Sequence, residues 1–347
     1  MKILVSALEA SANLHLSHVI KELEKHEKIE LCGIFELEGY SGALHKSSEF
    51  GAMGFVEILG LIAKAKRALK KMVELAKDCD TVLLIDSPAF NMPLAKALKK
   101  ANIKVNYYIL PQVWAWKEYR AKILAQNCEN LLSILPFERE YFGASCKFVG
   151  HPLLDEIKVE KSKQKSGIIA FLPGSRRSEI WRLMPVFREL AGKLGGRKII
   201  AVPAQLKGKE SEYYGDTSGF ELSYDANSLL AQADFAFICS GTATLQAALI
   251  GTPFVLCYKA KAIDVFLARL FVRKLKHIGL ANIIFDFTQQ AALHAELIQD
   301  EVSAAALLAA YKDCDTSAFA KGCLKLKKYL SHGASANVAK ILLEKSH

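Results

Sequence analysis

The residues best suited to chemistry stand where apolar runs break into small and basic ones. Residues 168–172 (IIAFL) are fully apolar and stop at Pro173-Gly174, after which come Ser175, Arg176, Arg177 and Ser178. The run reads as a buried parallel strand, and the residues after it read as a helix N-terminus whose first N–H groups lack intrahelical partners. Free N–H groups, the positive end of a helix dipole and two guanidinium forks suit a phosphate. The helix end contributes only about 0.3–2 kcal/mol toward an anion, so the arginines must supply much of the rest. An ordinary helix cap with solvated arginines is the alternative for this turn taken alone. A second element shifts the balance: residues 235–239 (FAFIC) break into Ser240-Gly241-Thr242 ahead of a helix at 245–249. Two such seats in one half of the chain suit a diphosphate, bound at the carboxyl ends of parallel strands.

A carboxylate stands in a similar position in the other half. Residues 81–85 (TVLLI) form a buried strand that delivers Asp86 and a proline-broken loop, so Asp86 is placed either to act on a ligand or to cap the next helix. The strand at 105–110 delivers Trp114 and Trp116, which can line a ligand slot or fill a core corner. His151 reads as a structural histidine. The triplets Asp78-Cys79-Asp80 and Asp313-Cys314-Asp315 fall away from the strand ends that carry the site, and we expect no metal at either. No G-x-G-x-x-G and no G-x-x-x-x-G-K-[ST] occurs, so neither a dinucleotide cofactor nor a P-loop is supported, and no cofactor is expected.

The elements that must position these groups alternate strand and helix. The 347 residues fit two domains, and 51% hydrophobic with 24% charged residues describes a globular chain. We expect an N-terminal domain over 1–157, a charged linker at 158–166, a C-terminal domain over 167–325, and a tail at 326–347 whose helix (337–345) packs toward the N-terminal domain. The first strand spans 2–7 with a helix over 14–25, and the second half repeats the pattern with a helix around 181–194 and strands at 198–202 and 253–258. Net charge +10 implies anionic partners. Eight cysteines without a C-x-x-C pair argue for reduced thiols and a cytoplasmic location, and the short apolar N-terminus reads as a strand, not a signal peptide. Residues 53–72 join apolar Met53, Phe55, Val56, Ile58, Leu59, Leu61 and Ile62 to a basic flank including Lys66 and Arg67. This segment reads as a membrane-surface patch or as a core helix with a solvated lysine face. A second basic, apolar segment at 266–280 is a candidate subunit contact, as in a homodimer.

The motifs EAS, MGFVEILG, IDSPAFN, PQVWAWK, LPFE, FVGHP, LPGSRRSEI, SGTATLQAAL and LANII run from about residue 9 to residue 283. In this order they resemble the lipid-A-disaccharide synthase family of inverting glycosyltransferases. The resemblance implies a GT-B fold, with two Rossmann-like α/β domains facing each other across a cleft. It also implies transfer of 2,3-diacylglucosamine from its UDP form to 2,3-diacylglucosamine 1-phosphate on the cytoplasmic face of the inner membrane. Asp86 would be the general base. Gly174, Ser175, Arg176, Ser240, Gly241, Thr242, Gln246 and Asn282 would hold the UDP-sugar without a metal ion, and Glu9, Ser11, Asn13, Trp114 and Trp116 would line the acceptor side. The chain departs from the family at 8–13 (LEASAN for GEASGD), at Gln246 (for Glu) and at Ala281 (for Pro). The amide at 246 keeps a hydrogen bond to a ribose hydroxyl but loses the charge, which predicts weaker nucleotide binding. Two alternatives stay open: another UDP-sugar enzyme such as a UDP-N-acetylglucosamine 2-epimerase, or a nucleotide- or membrane-binding protein with weakened catalysis. Nucleic-acid binding has only the net charge in its favour.

Overall fold

A computed structural model of the chain describes residues 1–47, 49, 58–259 and 275–344. The chain divides into two compact units, Met1–Asp155 with Leu330–His347, and Glu156–Tyr329. The first is built on seven parallel strands, β1 (Lys2–Ala7), β2 (Glu30–Ile34), β3 (Ala43–His45), β4 (Thr81–Ile85), β5 (Asn106–Tyr108), β6 (Asn130–Ser133) and β7 (Cys146–Phe148), in the order β3-β2-β1-β4-β5-β6-β7. The second has six parallel strands, β8 (Ile168–Leu172), β9 (Arg197–Ala201), β10 (Glu221–Ser223), β11 (Phe235–Cys239), β12 (Phe254–Tyr258) and β13 (Ala295–Ile298), in the order β10-β9-β8-β11-β12-β13. Each order reverses direction once, between β1 and β4 and between β8 and β11. Open α/β sheets bind ligands beyond the carboxyl ends of such strand pairs.

The central strands are mostly apolar because helices cover both faces of the sheet. Ile3, Val5, Leu83 and Ile85 pack on Leu16, Val19 and Ile20 of the helix Ala10–Leu23. The alternating residues Leu4, Val82 and Leu84 pack on the opposite face, against Ala68 and Met72 of the helix Ile58–Leu75 and Leu94 and Leu98 of the helix Pro88–Lys100. Val338, Ala339 and Leu342 of the C-terminal helix Ala334–Leu343 belong to the first of these cores. Asn337 Nδ2 donates to the Val149 carbonyl at 2.9 Å, which ties that helix down. In the second unit Phe171, Phe235 and Phe237 pack on Ile180, Leu183 and Phe187 of the helix Arg177–Ala191.

Several boundaries differ from the sequence reading. The first helix starts at Ala10, not at 14, and the helices after β8 and β11 start at Arg177 and Thr242, so each begins at its turn. The charged run 158–166 is bonded into the second unit: the Ser162 N–H donates to the Ala231 carbonyl at 2.8 Å and the Ser166 N–H to Asp234 Oδ1 at 3.0 Å. Both Asp-Cys-Asp triplets have structural roles. Asp80 Oδ2 accepts from the Lys2 N–H at 2.6 Å, and Asp315 Oδ1 caps the helix Thr316–Leu330 through the Ser317 and Ala318 N–H groups. Trp114 is a core corner and not a slot wall: it is buried, with its ring edge-on to Phe137 at 5.6 Å and Nε1 donating to Glu138 Oε1 at 3.3 Å. The segment 260–274, with most of the candidate subunit contact, lies outside the described residues.

Two positions in the first unit make testable demands. Gly33 sits in β2 opposite Val5 with φ +120°, and a Cβ there would overlap the Val5 carbonyl oxygen. Gly33→Ala should destabilise the protein by about 2–4 kcal/mol, read as a lower urea midpoint; an unchanged midpoint would contradict the close strand approach. Burial raises the Glu138 carboxyl from the usual range to about 7, against hydrogen bonds from Ser133 and Trp114 that favour the charged form. The folded protein therefore keeps this proton while the unfolded chain loses it. Stability should fall by about 3 kcal/mol as pH rises from about 4.5 to about 7 and level off above. Urea midpoints across that range for wild type and Glu138→Gln test this, since the variant should lack that part of the slope.

Candidate functional site

In the second unit a cleft of about 510 Å³ opens at the carboxyl ends of the central strands. The turn after β8 supplies Gly174, Ser175 and Arg176, and the turn after β11 supplies Ser240, Gly241 and Thr242, with Gln246 one turn into the following helix. Sequence reading places these seven residues in one site, and the structure brings them together. Two helices, Arg177–Ala191 and Thr242–Ile250, begin at this cleft, so their positive dipole ends belong to it; of the first-turn N–H groups, those of Glu179 and Thr244 donate to the Arg176 and Gly241 carbonyls at 3.0 and 3.1 Å. Gly174 has φ +103°, and a Cβ on it would stand 2.7 Å from Glu179 Oε2. Thr244 Oγ1 donates to the Gly241 carbonyl at 2.8 Å and fixes the second turn. A larger depression of about 870 Å³ beside the helix Ala10–Leu23 gathers no such donors, its charged lining mixing Lys21 and Lys28 with Glu24, Glu27 and Glu38.

The structure separates the two arginines. Arg176 lines the cleft with its side chain 78% exposed, and its Nη1 donates to Glu179 Oε1 at 3.0 Å. Arg177 is engaged elsewhere, its guanidinium lying over the rings of Trp181 (4.7 Å) and Tyr213 (5.6 Å) and pairing with Glu212 at 3.2 Å. One arginine, not two, serves the cleft. Asn282 is also corrected. It is fully buried, its Nδ2 donating to the His294 carbonyl (3.0 Å) and Glu296 Oε1 (2.8 Å) and its Oδ1 accepting from the Leu293 and His294 N–H groups, so the side chain has nothing left for a ligand. Sequence reading misses Tyr224 and Glu179, which also line the cleft. Glu179 has a signal, since it stands three residues after the N-cap in capping-box spacing.

In the first unit, Asp86 ends β4 beside the point where the strand order turns back. Asp86 (φ +49°) and Ser87 (φ +45°) are both left-handed, which costs on the order of 1–3 kcal/mol for each residue. The surroundings hold them there. The Asp86 N–H donates to the Tyr108 carbonyl at 2.9 Å, and the Asp86 carbonyl accepts from Tyr107 Oη (2.6 Å) and Asn91 Nδ2 (2.9 Å). Asn91 is fully buried, and its Oδ1 accepts from Ser6 Oγ at 2.6 Å. Burial, and then the charge of Glu9, raise the Asp86 carboxyl above its ordinary value, while the Ser87 N–H and His15 pull it down. Ser87 Oγ is buried without a hydrogen-bond partner among the described residues.

The remaining candidates divide. Glu9, at the N-cap, and Ser11, in the first turn of the helix that follows β1, the neighbouring strand, are exposed. Asn13 is corrected to a structural role: buried, it donates through Nδ2 to the Ala7 and Glu9 carbonyls and Ser47 Oγ, and accepts from the Glu36 N–H. Trp116 is 42% exposed under the ammonium of Lys117 at 4.1 Å. His151 is buried, its Nδ1 accepting from the Leu153 N–H, and burial with the charge of His15 pushes it down to about 3. Of the apolar-basic segment, Met53, Phe55 and Val56 lie outside the described residues. Ile58, Leu59, Leu61 and Ile62 fall on the helix Ile58–Leu75, where Lys66 and Arg67 are exposed. Among the described residues, no helix is long and apolar enough to cross a membrane.

Comparison with known proteins bears on the fold and on the family. Solved structures with similar folds include MurG of Acinetobacter baumannii (TM-score 0.61, 13% identity, 99% of each chain covered) and an S. aureus MnaA–UDP co-structure (TM-score 0.62, 10% identity, 99% of this chain and 97% of that one). At such identities they speak for the fold alone. Among curated relatives, the lipid-A-disaccharide synthase of Campylobacter jejuni (strain RM1221) is 53% identical, over 98% of this chain and 99% of its own. That of Helicobacter acinonychis (strain Sheeba) is 47% identical, over 97% and 96%. The family profile described as lipid-A-disaccharide synthetase matches residues 3–318. With the motifs, both units and the full length in agreement, the chain belongs to the lipid-A-disaccharide synthase family.

Proposed function

We propose that this chain transfers a 2,3-diacylglucosamine unit from UDP-2,3-diacylglucosamine to 2,3-diacylglucosamine 1-phosphate, giving the β-1,6-linked disaccharide 1-phosphate and UDP. The observation that carries this reading, in a chain of this family, is the cleft of the second unit, where two helix N-termini and Arg176 converge. These donors suit a diphosphate and, more to the point, the charge that grows on it as the sugar departs. Preorganised donors aimed at developing charge lower the barrier without reorganising, and this reading therefore calls for no metal ion. The oxygen of Gln246 would take a ribose hydroxyl, and the Tyr224 ring, with the Lys207 ammonium 5.3 Å from its centroid, would border the base.

Asp86 acts as the general base in this proposal, removing the proton of the acceptor hydroxyl as it attacks the anomeric carbon on the side opposite UDP. The left-handed turn fixes where the carboxylate points, and its raised pKa makes it a better base than a free aspartate. Exposed Glu9 and Ser11, at the adjoining strand end, would contact the acceptor. The acyl chains explain the apolar-basic segment: at about 0.8 kcal/mol per buried methylene, contacts with residues 53–62 would hold lipid substrates, while Lys66 and Arg67 meet an anionic bilayer surface. The protein would work as a peripheral enzyme on the cytoplasmic face of the inner membrane.

UDP release from UDP-2,3-diacylglucosamine in detergent micelles tests the reading. Release should require the acceptor and survive a chelator. Asp86→Asn should lower kcat by about 10²–10⁴-fold with donor KM little changed. The wild-type rate should rise with pH through an acid limb lying above the usual aspartate value of about 3.9. Acceptor-independent release would point instead to another UDP-sugar enzyme, and an unimpaired Asp86→Asn would remove the base from the scheme.

A further inference from the structure

A carboxylate in an anion seat is a contradiction that needs a physical resolution. Glu179 lines the cleft with its side chain only 11% exposed, in the first turn of a helix whose N-terminus should attract anions. Left unpaired, it would repel a diphosphate through poorly screening surroundings. It is not unpaired. Oε1 accepts from Arg176 Nη1 at 3.0 Å, and Oε2 accepts from the Arg176 main-chain N–H at 3.4 Å. This is half of a capping box. Arginine has no acceptor to complete the usual reciprocal bond, so it returns a guanidinium donor instead.

The contact holds Arg176 at both ends, by its backbone and by one guanidinium nitrogen, while 78% of the side chain stays exposed with further N–H donors to give. A free arginine side chain loses much rotamer freedom when it closes on a ligand; one already clamped loses less. Glu179 fills the space that a side chain at residue 174 would need. Oε2 lies 2.7 Å from where a Cβ on Gly174 would be, and its charge reaches the Cys239 thiol at the end of β11. The carboxylate thus lies close to both turns of the cleft.

We propose that Glu179 is a positioning residue that presents Arg176 to the anionic ligand of this cleft, and that its own charge is tolerated only because Arg176 neutralises it. The inference rests on the diphosphate reading of the cleft and predicts an effect whose sign depends on Arg176. With Arg176 present, losing the Glu179 charge harms anion binding; with Arg176 absent, losing it helps.

Calorimetric titration of the full-length protein with UDP and with uridine tests this on wild type, Glu179→Gln, Arg176→Ala and the double variant. Glu179→Gln should weaken UDP by about tenfold and leave uridine unchanged. The double variant should bind UDP more tightly than Arg176→Ala alone. A residue that merely caps the helix would weaken binding in both backgrounds and would not distinguish UDP from uridine, and that pattern overturns the proposal, as does Glu179→Gln binding UDP at wild-type strength or better. Arg176 is exposed, so Arg176→Ala is expected to fold, and the amide in Glu179→Gln keeps an oxygen that can accept from the main-chain N–H of residue 176, so the helix cap survives in that variant and in the double variant. Far-UV circular dichroism checks each variant before titration. Wild type failing to bind UDP at all would instead defeat the diphosphate reading itself, an outcome separate from a normal wild type with an unaffected variant.

Discussion

Two helices of the second unit begin at one cleft, and the unit's topology follows from keeping both there. Their N-termini carry like partial charges, so bringing them together is unfavourable until an anion lies between. The parallel strands β8 and β11 are direct neighbours in the sheet and impose the arrangement. Phe171 and Phe237, paired in register across those strands, pack at 5.4 Å, and Phe171 also packs on Phe187 of the helix leaving β8. Core packing thereby holds the main chain of both turns at the cleft.

The first unit uses the same topological position for a different purpose. Where the second unit ends its central strand in a turn with small residues, the first ends β4 in two consecutive left-handed residues that bear side chains. Such a turn survives only because Tyr107, Tyr108 and the buried Asn91–Ser6 pair hold its carbonyl and N–H groups. Left-handed residues with side chains cost on the order of 1–3 kcal/mol each, and these hydrogen bonds offset that cost. In one unit two helices begin at the strand ends, and in the other a single aspartate stands there on a constrained backbone.

Much of this is legible in the sequence for a physical reason. Strands covered on both faces are nearly continuously apolar, so 81–85, 168–172 and 235–239 announce themselves, and the abrupt change of polarity after them marks the carboxyl end of each strand. Edge strands give no such signal: β3, β7 and β10 have three residues each, none of the three is fully buried, and no apolar run marks their extent. The misread site residues share one cause. Asn13, Asn282 and Trp114 have the chemistry of ligand contacts, but that chemistry is consumed by partners such as Glu36, Glu296 and Glu138 that are distant in sequence. Arg177 is drawn from the cleft by Tyr213 and Glu212 in the same way. A residue type shows what a side chain can do, and only the fold shows what has already been claimed.

The central claim is that one diphosphate is held by both turns of the second unit through their main-chain N–H groups. Hydrogen–deuterium exchange of the full-length protein with and without saturating UDP addresses those groups directly. Joint holding of the diphosphate slows exchange in peptides spanning 173–180 and 239–246 together, with the helix ends responding as a pair. Protection confined to one turn, or appearing in neither while UDP is bound, would contradict it.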